Sequence, residues 1–504
     1  MAERARNGKV YLVGAGPGDA LLLTVRAREL IESADAIVYH SRALSPLLPA
    51  DAKERGHPEI YFVGESRSGK RPSRETVNAL LADLARSGKK VVRLMRGDPL
   101  FLNRGSEEAQ HLNDCAIEFE IVPGIAEGIA AADQSGIPLT HTDLSSSVVF
   151  IDSRKFADQS ARVARPLTTD TIVIGPGVDS LPEIAKELMQ AGMSPDIPAA
   201  TVQHAGTARQ QVVTGKLETI AQVSRDAGIV GRAVTIVGYT VVLGYELGWL
   251  DRRPLFGKRV ALADPPSVSG RLGAMLRELG AEVSDMPEAL SQRLHVEWER
   301  EAWDTLDGLR WLAFVGADAV AIFWEHLLGS GRDARALAAQ KIAAVGAPTV
   351  RALLERGITV DVTPSRFDAE SVAAALRERA DIRGSRLLLV ASDDVDETFR
   401  AGLENAGASV HVITTSRHLA DERAMGRWKE SLTRHPPDAV AFTSPRAVRR
   451  FAESLSDDVE ARWTNLSIGG ATSAAIREAR MKIGSEAEEP TLSSVVEAIR
   501  RALE

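Results

Sequence analysis

The chain has one cysteine in 504 residues, no excess of positive charge and no long apolar run. With Cys115 alone, a disulfide framework, a cysteine-based zinc site and a paired-cysteine redox centre are excluded. The 61 Lys and Arg are outnumbered by 69 Asp and Glu, for a net charge of −8. That balance argues against a general nucleic-acid partner, which asks for a basic domain or stripe. Small anionic substrates stay open, because a local arginine pocket vanishes in a net sum. The first apolar run, Val10–Val13, is too short for the core of a signal peptide. No window approaches the roughly 18 uninterrupted apolar residues of a membrane span, so no membrane partner is expected and a cytoplasmic location is. His57, His111, His141 and His204 are scattered without ligand spacing, so no metal is expected.

What is present is a strand–helix alternation. Val10–Val13, Ala36–Tyr39, Val91–Met95, Ile117–Val122, Val148–Ile151, Thr171–Ile174 and Val234–Val237 read as buried strands. Amphipathic stretches over Leu22–Ser33, Arg74–Ser87 and Leu181–Ala191 lie between them. Such alternation predicts an α/β fold with mostly parallel sheets covered by helices. The length suggests three or four units at about 100–200 residues each. The best boundary is the charged, Pro- and Gly-punctuated stretch Asp251–Gly257.

The second half repeats itself. Gly257-Lys-Arg-Val-Ala-Leu aligns with Gly384-Ser-Arg-Leu-Leu-Leu, and Gly280-Ala281-Glu-Val283 with Gly407-Ala408-Ser-Val410. Phe314…Ala-Val320 aligns with Phe442…Ala-Val448, and Gly346-Ala-Pro-Thr349 with Gly469-Gly-Ala-Thr472. These ordered matches at nearly one spacing predict two related flavodoxin-like α/β lobes.

Near the start, Val10-Tyr-Leu-Val-Gly14-Ala-Gly16-Pro17-Gly18-Asp19 is a strand entering a glycine turn before a helix. Such a turn lets backbone N–H groups approach a ligand closely. A dinucleotide fingerprint requires a third glycine where Asp19 stands, so a nicotinamide enzyme is disfavoured. A tight turn with no ligand is the plain alternative.

Further along come Gly97-Asp98-Pro99, Arg104-Gly105-Ser-Glu107-Glu108, Val122-Pro123-Gly124-Ile125 and Gly136-Ile-Pro-Leu-Thr-His141. Ser146-Ser147-Val148, Gly206-Thr207…Gln210 and Gln211-Val-Val-Thr-Gly215 follow in order. With the first loop, this series over about residues 8–252 resembles the tetrapyrrole methylase family, and within it the uroporphyrinogen-III C-methyltransferases. The resemblance implies a two-lobed fold whose cleft binds S-adenosylmethionine, a tetrapyrrole substrate, and a homodimer formed through this half. It places Pro17, Arg96, Gly97, Asp98, Phe101, Ala126, Glu127, Pro176 and Gly206 at the methyl-donor positions. Asp98 also has the plain reading of a capping residue after a strand.

Several positions depart from the family pattern. His40 stands where the family has an aspartate assigned as proton acceptor; its ordinary pKa, nearer neutrality, suits the same task. Glu65 replaces a lysine, a charge that Arg67, Lys70 or Arg71 is left to supply. Arg96 and Pro176 replace a glycine and a methionine, and Ala126-Glu127-Gly128 replaces an alanine pair.

Residues 258–504 resemble the uroporphyrinogen-III synthase family through the repeat, Phe442-Thr-Ser-Pro-Arg-Ala-Val448, Lys341…Val-Gly346 with Thr349, and Ile468-Gly469…Thr472. The resemblance implies non-sequential lobes: one from about 258–289 plus 417–504, the other from about 291–413, with 253–257 as a linker. Thr443, Ser444 and Thr472 would donate to substrate carboxylates, with Thr349 facing them; each is otherwise a turn or capping hydroxyl. Ala263-Asp264-Pro265 and Ile413 depart from that family and predict a weakened synthase half. The expected function is thus methylation of uroporphyrinogen III to precorrin-2, toward sirohaem or cobalamin. The alternatives are a diverged methyltransferase for another small acid and a non-catalytic tetrapyrrole-binding protein.

Overall fold

Among the described residues, twenty short strands form four five-stranded sheets. The computed structural model describes residues 8–49, 58–66, 69–157, 169–287, 290–294, 308–364, 374–375, 382–392, 397–419, 421–454 and 463–504. Arg67 and His57 lie outside the described residues. The chain divides into two compact units. One comprises Met1–Asp264, Val268–Asp285 and His435–Glu504, and the other Pro265–Ser267 and Met286–Arg434. No helix among the described residues is long and apolar enough to cross a membrane.

The first sheet contains β1 (Lys9–Gly14), β2 (Ala36–Tyr39), β3 (Glu59–Phe62), β4 (Lys90–Met95) and β5 (Glu118–Val122), in the order β3-β2-β4-β1-β5. All four pairings are parallel. Alternation along β1 sends Val10 and Leu12 to one core and Val13 to the other. Helices cover both faces, as parallel sheets require. The helix Arg74–Arg86 starts where Ser73 accepts the Thr76 N–H.

The second sheet contains β6 (Val148–Asp152), β7 (Thr171–Gly175), β8 (Pro198–Gln203), β9 (Gln211–Lys216) and β10 (Val234–Val237), ordered β6-β7-β10-β8-β9. Only β6–β7 is parallel; the other three pairs are antiparallel. The expectation of mostly parallel sheets therefore fails here, because a buried apolar run such as Val234–Val237 carries no direction. The helix Glu127–Ser135, which leaves the first sheet after β5, packs Ala131 and Ala132 against Val173, Ala200 and Ile236 of the second. That helix fixes one sheet against the other within this unit.

The third sheet, in the same unit, contains β11 (Arg259–Leu262), β12 (Glu282–Asp285), β18 (Ala439–Phe442), β19 (Thr464–Ser467) and β20 (Ile483–Glu486), ordered β12-β11-β18-β19-β20 and all parallel. Leu255, within the stretch expected to link the halves, is fully buried with Val260, Leu262 and Leu276. The fourth sheet, in the second unit, contains β13 (Leu290–Arg293), β14 (Trp311–Val315), β15 (Lys341–Val345), β16 (Arg386–Ser392) and β17 (Ser409–Leu419), ordered β13-β17-β16-β14-β15. The repeat explains both orders. Strands β12-β11-β18-β19 correspond one for one to β17-β16-β14-β15, so each sheet takes its front pair from one copy and its back pair from the other.

Candidate active site

In an open parallel sheet, ligands meet the loops at the carboxyl ends of the strands. The loops after β1, β2, β4 and β5 carry Gly14–Asp19, His40, Arg96–Pro99 and Pro123–Glu127. Three glycines bring these loops together. A Cβ on Gly14 would lie 2.6 Å from the Gly124 nitrogen and 2.7 Å from the Gly97 oxygen; one on Gly124 would lie 2.4 Å from that same oxygen. Gly16 and Gly97 exchange backbone hydrogen bonds of 3.2 and 2.7 Å. Asp19 caps the next turn through the Leu21 N–H at 2.9 Å.

A partly enclosed cleft opens beside these loops. It brings together His40, Arg96, Gly97, Phe101, Glu127 and Pro176 from the sequence-derived set. The other donor-site candidates are placed elsewhere. Asp98 turns its carboxylate onto backbone amides: Oδ1 accepts from Leu100 and Phe101 at 2.8 and 3.1 Å, and Oδ2 from Gly124 at 3.1 Å. It is a loop anchor, so the plain capping reading describes it. Pro17 lies outside the lining, and its carbonyl accepts from Arg96 Nη2 at 3.4 Å. Ala126 is the buried N-cap of the helix that begins at Glu127. Gly206 donates to Gln210 Oε1 at 2.9 Å, and Gln210 in turn donates to the Gln134 carbonyl.

The second sheet supplies the far wall through Phe150, Val173 and Val234, and adds Arg154 and Arg232. Arg154 lies in Asp152-Ser153-Arg154, a stretch that departs from the family pattern near the donor site; sequence reasoning missed the other four, which lie in no such motif. A Cβ on Gly128 would stand 2.9 Å from the Phe150 ring, so the small residue at 128 is matched by a large one opposite. Phe150 also meets Phe101 edge to face at 4.8 Å.

Charge is concentrated here. Glu127 Oε1 is 2.5 Å from Arg96 Nε, a charge contact out of hydrogen-bond alignment, and Glu127 Oε2 accepts from Arg232. Burial alone would push the Glu127 carboxyl up, but the two guanidiniums outweigh it and hold it below the usual carboxylate range. Arg93, 6% exposed, is paired bidentately with Glu108 beneath the cleft floor. His40 is lowered from 6.5 to about 3, first by burial and then by the charges of Arg93, Arg232, Arg71 and Arg96. This corrects the expectation that a near-neutral pKa suits it as a base: it is a neutral imidazole with little affinity for a proton. Its Nδ1 is buried with no hydrogen-bond partner in the structure. Glu65 and Arg42 line an open groove on the other side of His40.

In the third sheet, Thr443 Oγ1 donates to Asp264 Oδ2 at 2.7 Å, and its N–H reaches the same oxygen at 3.3 Å. Ser444 caps the helix Pro445–Ser454 by accepting the Ala447 N–H at 3.1 Å. Thr472 is 2% exposed. In the second unit, Thr349 donates to the Val345 carbonyl and accepts the Gly316 N–H. The hydroxyls expected to meet substrate are thus largely engaged within the protein. Among the described residues no cluster of metal-ligating side chains is present.

Comparison with known proteins gives a consistent picture. Residues 9–221 match the family described as tetrapyrrole (corrin/porphyrin) methylases, and residues 270–497 match uroporphyrinogen-III synthase HemD. The porphyrin biosynthesis protein HemD of Ruminiclostridium josui is 31% identical over 98% of both chains. The uroporphyrinogen-III C-methyltransferase of Bacillus subtilis is 32% identical over 70% of this chain and 73% of its own. The siroheme synthase of Thiobacillus denitrificans is 38% identical over 52% of this chain. The chain spans about half the length of that last relative, 54%.

Proposed function

The chain belongs to the tetrapyrrole methylase family, joined to a uroporphyrinogen-III synthase region, and we propose that it methylates uroporphyrinogen III to precorrin-2 on the siroheme and cobalamin branch. It is an enzyme of porphyrin biosynthesis whose family uses S-adenosylmethionine. The observation that carries the proposal is the convergence of His40, Arg96, Gly97, Phe101, Glu127 and Pro176 on one cleft at the carboxyl edge of the first sheet.

The lining of the cleft suits a methyl donor with an aromatic base. Its walls pair apolar rings with a few charged groups. Phe101, Phe150 and Val173 would cover an adenine-like face, and Gly97 and Pro176 would admit backbone contact. Bound S-adenosylmethionine supplies an activated methyl group. The protein's share is then orientation, with reacting carbon and methyl held in line and water kept out. His40 stands at the cleft in its neutral form, so it can take up the proton lost by the methylated carbon. Burial lowers its basicity most, and the carboxylates of a tetrapyrrole would offset the arginine field that adds to that effect.

The test is incubation with uroporphyrinogen III and methyl-labelled donor. Transfer of label with appearance of a dimethylated product is expected; donor binding without transfer would point instead to a diverged methyltransferase for another small acid.

The Asp264–Thr443 bond favours a second element of the reading, a weakened synthase half. A buried carboxylate on the Thr443 hydroxyl repels an anionic substrate and takes its donor. Ring closure of hydroxymethylbilane should be slow, and faster in Asp264→Asn; equal rates in both proteins count against it. A homodimer through the methylase half is also part of the proposal, supported by the exposed apolar run Tyr239, Val242, Tyr245, Leu247 and Trp249. Sedimentation should give a dimer that Tyr245→Glu weakens.

A further inference from the structure

The cleft holds more positive charge than its own carboxylate balances. Arg96 and Arg232 both address Glu127. A guanidinium offers five N–H donors. Among the described residues, Arg232 gives Glu127 a side-chain hydrogen bond, and Arg96 makes a long one to the Pro17 carbonyl. Arg96 Nε is buried without an aligned acceptor. Arg154 contrasts with both: its Nε and Nη2 lie on Asp152 at 2.8 Å each, and Nη2 reaches the Leu102 carbonyl at 2.7 Å. Two guanidiniums sharing one carboxylate leave a formal positive charge in a partly enclosed space, where an unmatched ion is costly. The side chains of Arg96 and Glu127 are 23% and 18% exposed, so water screens this side of the cluster poorly, whereas Arg232, 47% exposed, reaches from the cleft mouth.

A second carboxylate is the group that fits this deficit, because the planar fork of arginine matches its two oxygens. We propose that Arg96 and Arg232 form a carboxylate subsite in the cleft, with Glu127 as an internal carboxylate that holds the pair in place and competes with the ligand. The identity of the ligand rests on the methyl-transfer reading: the amino-acid end of the donor and the acidic arms of a tetrapyrrole both carry the group. The subsite itself depends only on the two arginines and the glutamate.

The test titrates three probes into the full-length wild type, Arg232→Gln and Glu127→Gln, followed by calorimetry. The probes are succinate, S-adenosylhomocysteine and uroporphyrin III. Arg232→Gln should weaken succinate and at least one larger ligand about tenfold, the scale of one hydrogen bond to a charged group. The ligand that weakens identifies the source of the carboxylate. Glu127→Gln should tighten the same ligand several-fold, since its competitor is gone. A merely structural role shifts both variants in the same direction and overturns the subsite, as does unchanged affinity or a wild type that binds no succinate. Succinate bound through Arg232 with neither larger ligand bound keeps the subsite and overturns the methyl-transfer reading.

Discussion

His40 shows how little a residue type says about its chemistry until its neighbours are known. Its pKa falls from 6.5 to about 3 through burial and the arginines around it, so the folded chain refuses a proton that the unfolded chain binds. The stability this contributes is fully present above pH 6.5 and is lost as pH falls toward 3. His40→Gln should therefore flatten the decline in melting temperature between pH 6.5 and 4; equal slopes would contradict the burial described. Asp264 has the opposite sign. Burial raises it, and the bonds from Thr443 and the charges of Arg450 and Arg446 offset only part. A raised carboxyl favours the folded chain below its ordinary 3.8 and costs stability once pH passes its folded value. Asp264→Asn keeps an acceptor for Thr443 and removes the charge. Its melting temperature should exceed wild type at pH 7, with the gain gone near pH 3.8.

At the scale of elements, the loops obey backbone crowding more than side-chain chemistry. Gly14 and Gly124 approach each other and the Gly97 oxygen through main-chain atoms that cannot swing aside. Gly124→Ala should cost several kcal/mol, about 3 or more, read as lost soluble expression or a collapsed melting temperature. Gly128 faces side chains instead, Phe150 and Val173. Gly128→Ala should cost about 1–3 kcal/mol by overpacking, and Phe150→Leu should relieve it, giving a coupling above about 0.5 kcal/mol in a double-mutant cycle. These contacts also mark what was legible beforehand. The apolar runs found β1, β2, β4, β5, β6, β7 and β10, because short, mostly apolar runs bounded by turn residues admit few other readings. They missed β3, a half-buried four-residue strand, and β8, which starts at a proline and is rich in alanine. The motifs located six residues of the cleft, since loops at strand ends are short and ordered in sequence. Arg232 was illegible, because an arginine's reach into a site depends on which sheet faces it. Asp98 was in the right loop, but only the fold shows its carboxylate spent on amides.

At the scale of the whole molecule, the repeat produces an architecture in which sequence neighbours and structural neighbours part company. The third sheet is assembled from residues 259–285 and 439–486, with all of the fourth sheet's strands lying between them in the chain. Its core joins Leu255, Val260 and Leu276 from the first stretch to Ala439, Leu466, Val495 and Ile499 from the second. A chain that ends at residue 434 keeps β11 and β12 but loses three of the sheet's five strands and the helix Leu492–Leu503. An isolated strand pair with one face uncovered is marginal in water. A chain in which a flexible Gly/Ser segment replaces residues 287–434 loses far more sequence yet retains the entire sheet and its core. The larger deletion should therefore be the better tolerated. The excised chain should resist limited proteolysis across residues 255–285 as the full chain does, whereas the chain ending at 434 should be cut there readily. Protection of that stretch in the truncated chain would show that β11 and β12 are held by the methylase half alone, and that the crossed repeat is not what stabilises the third sheet.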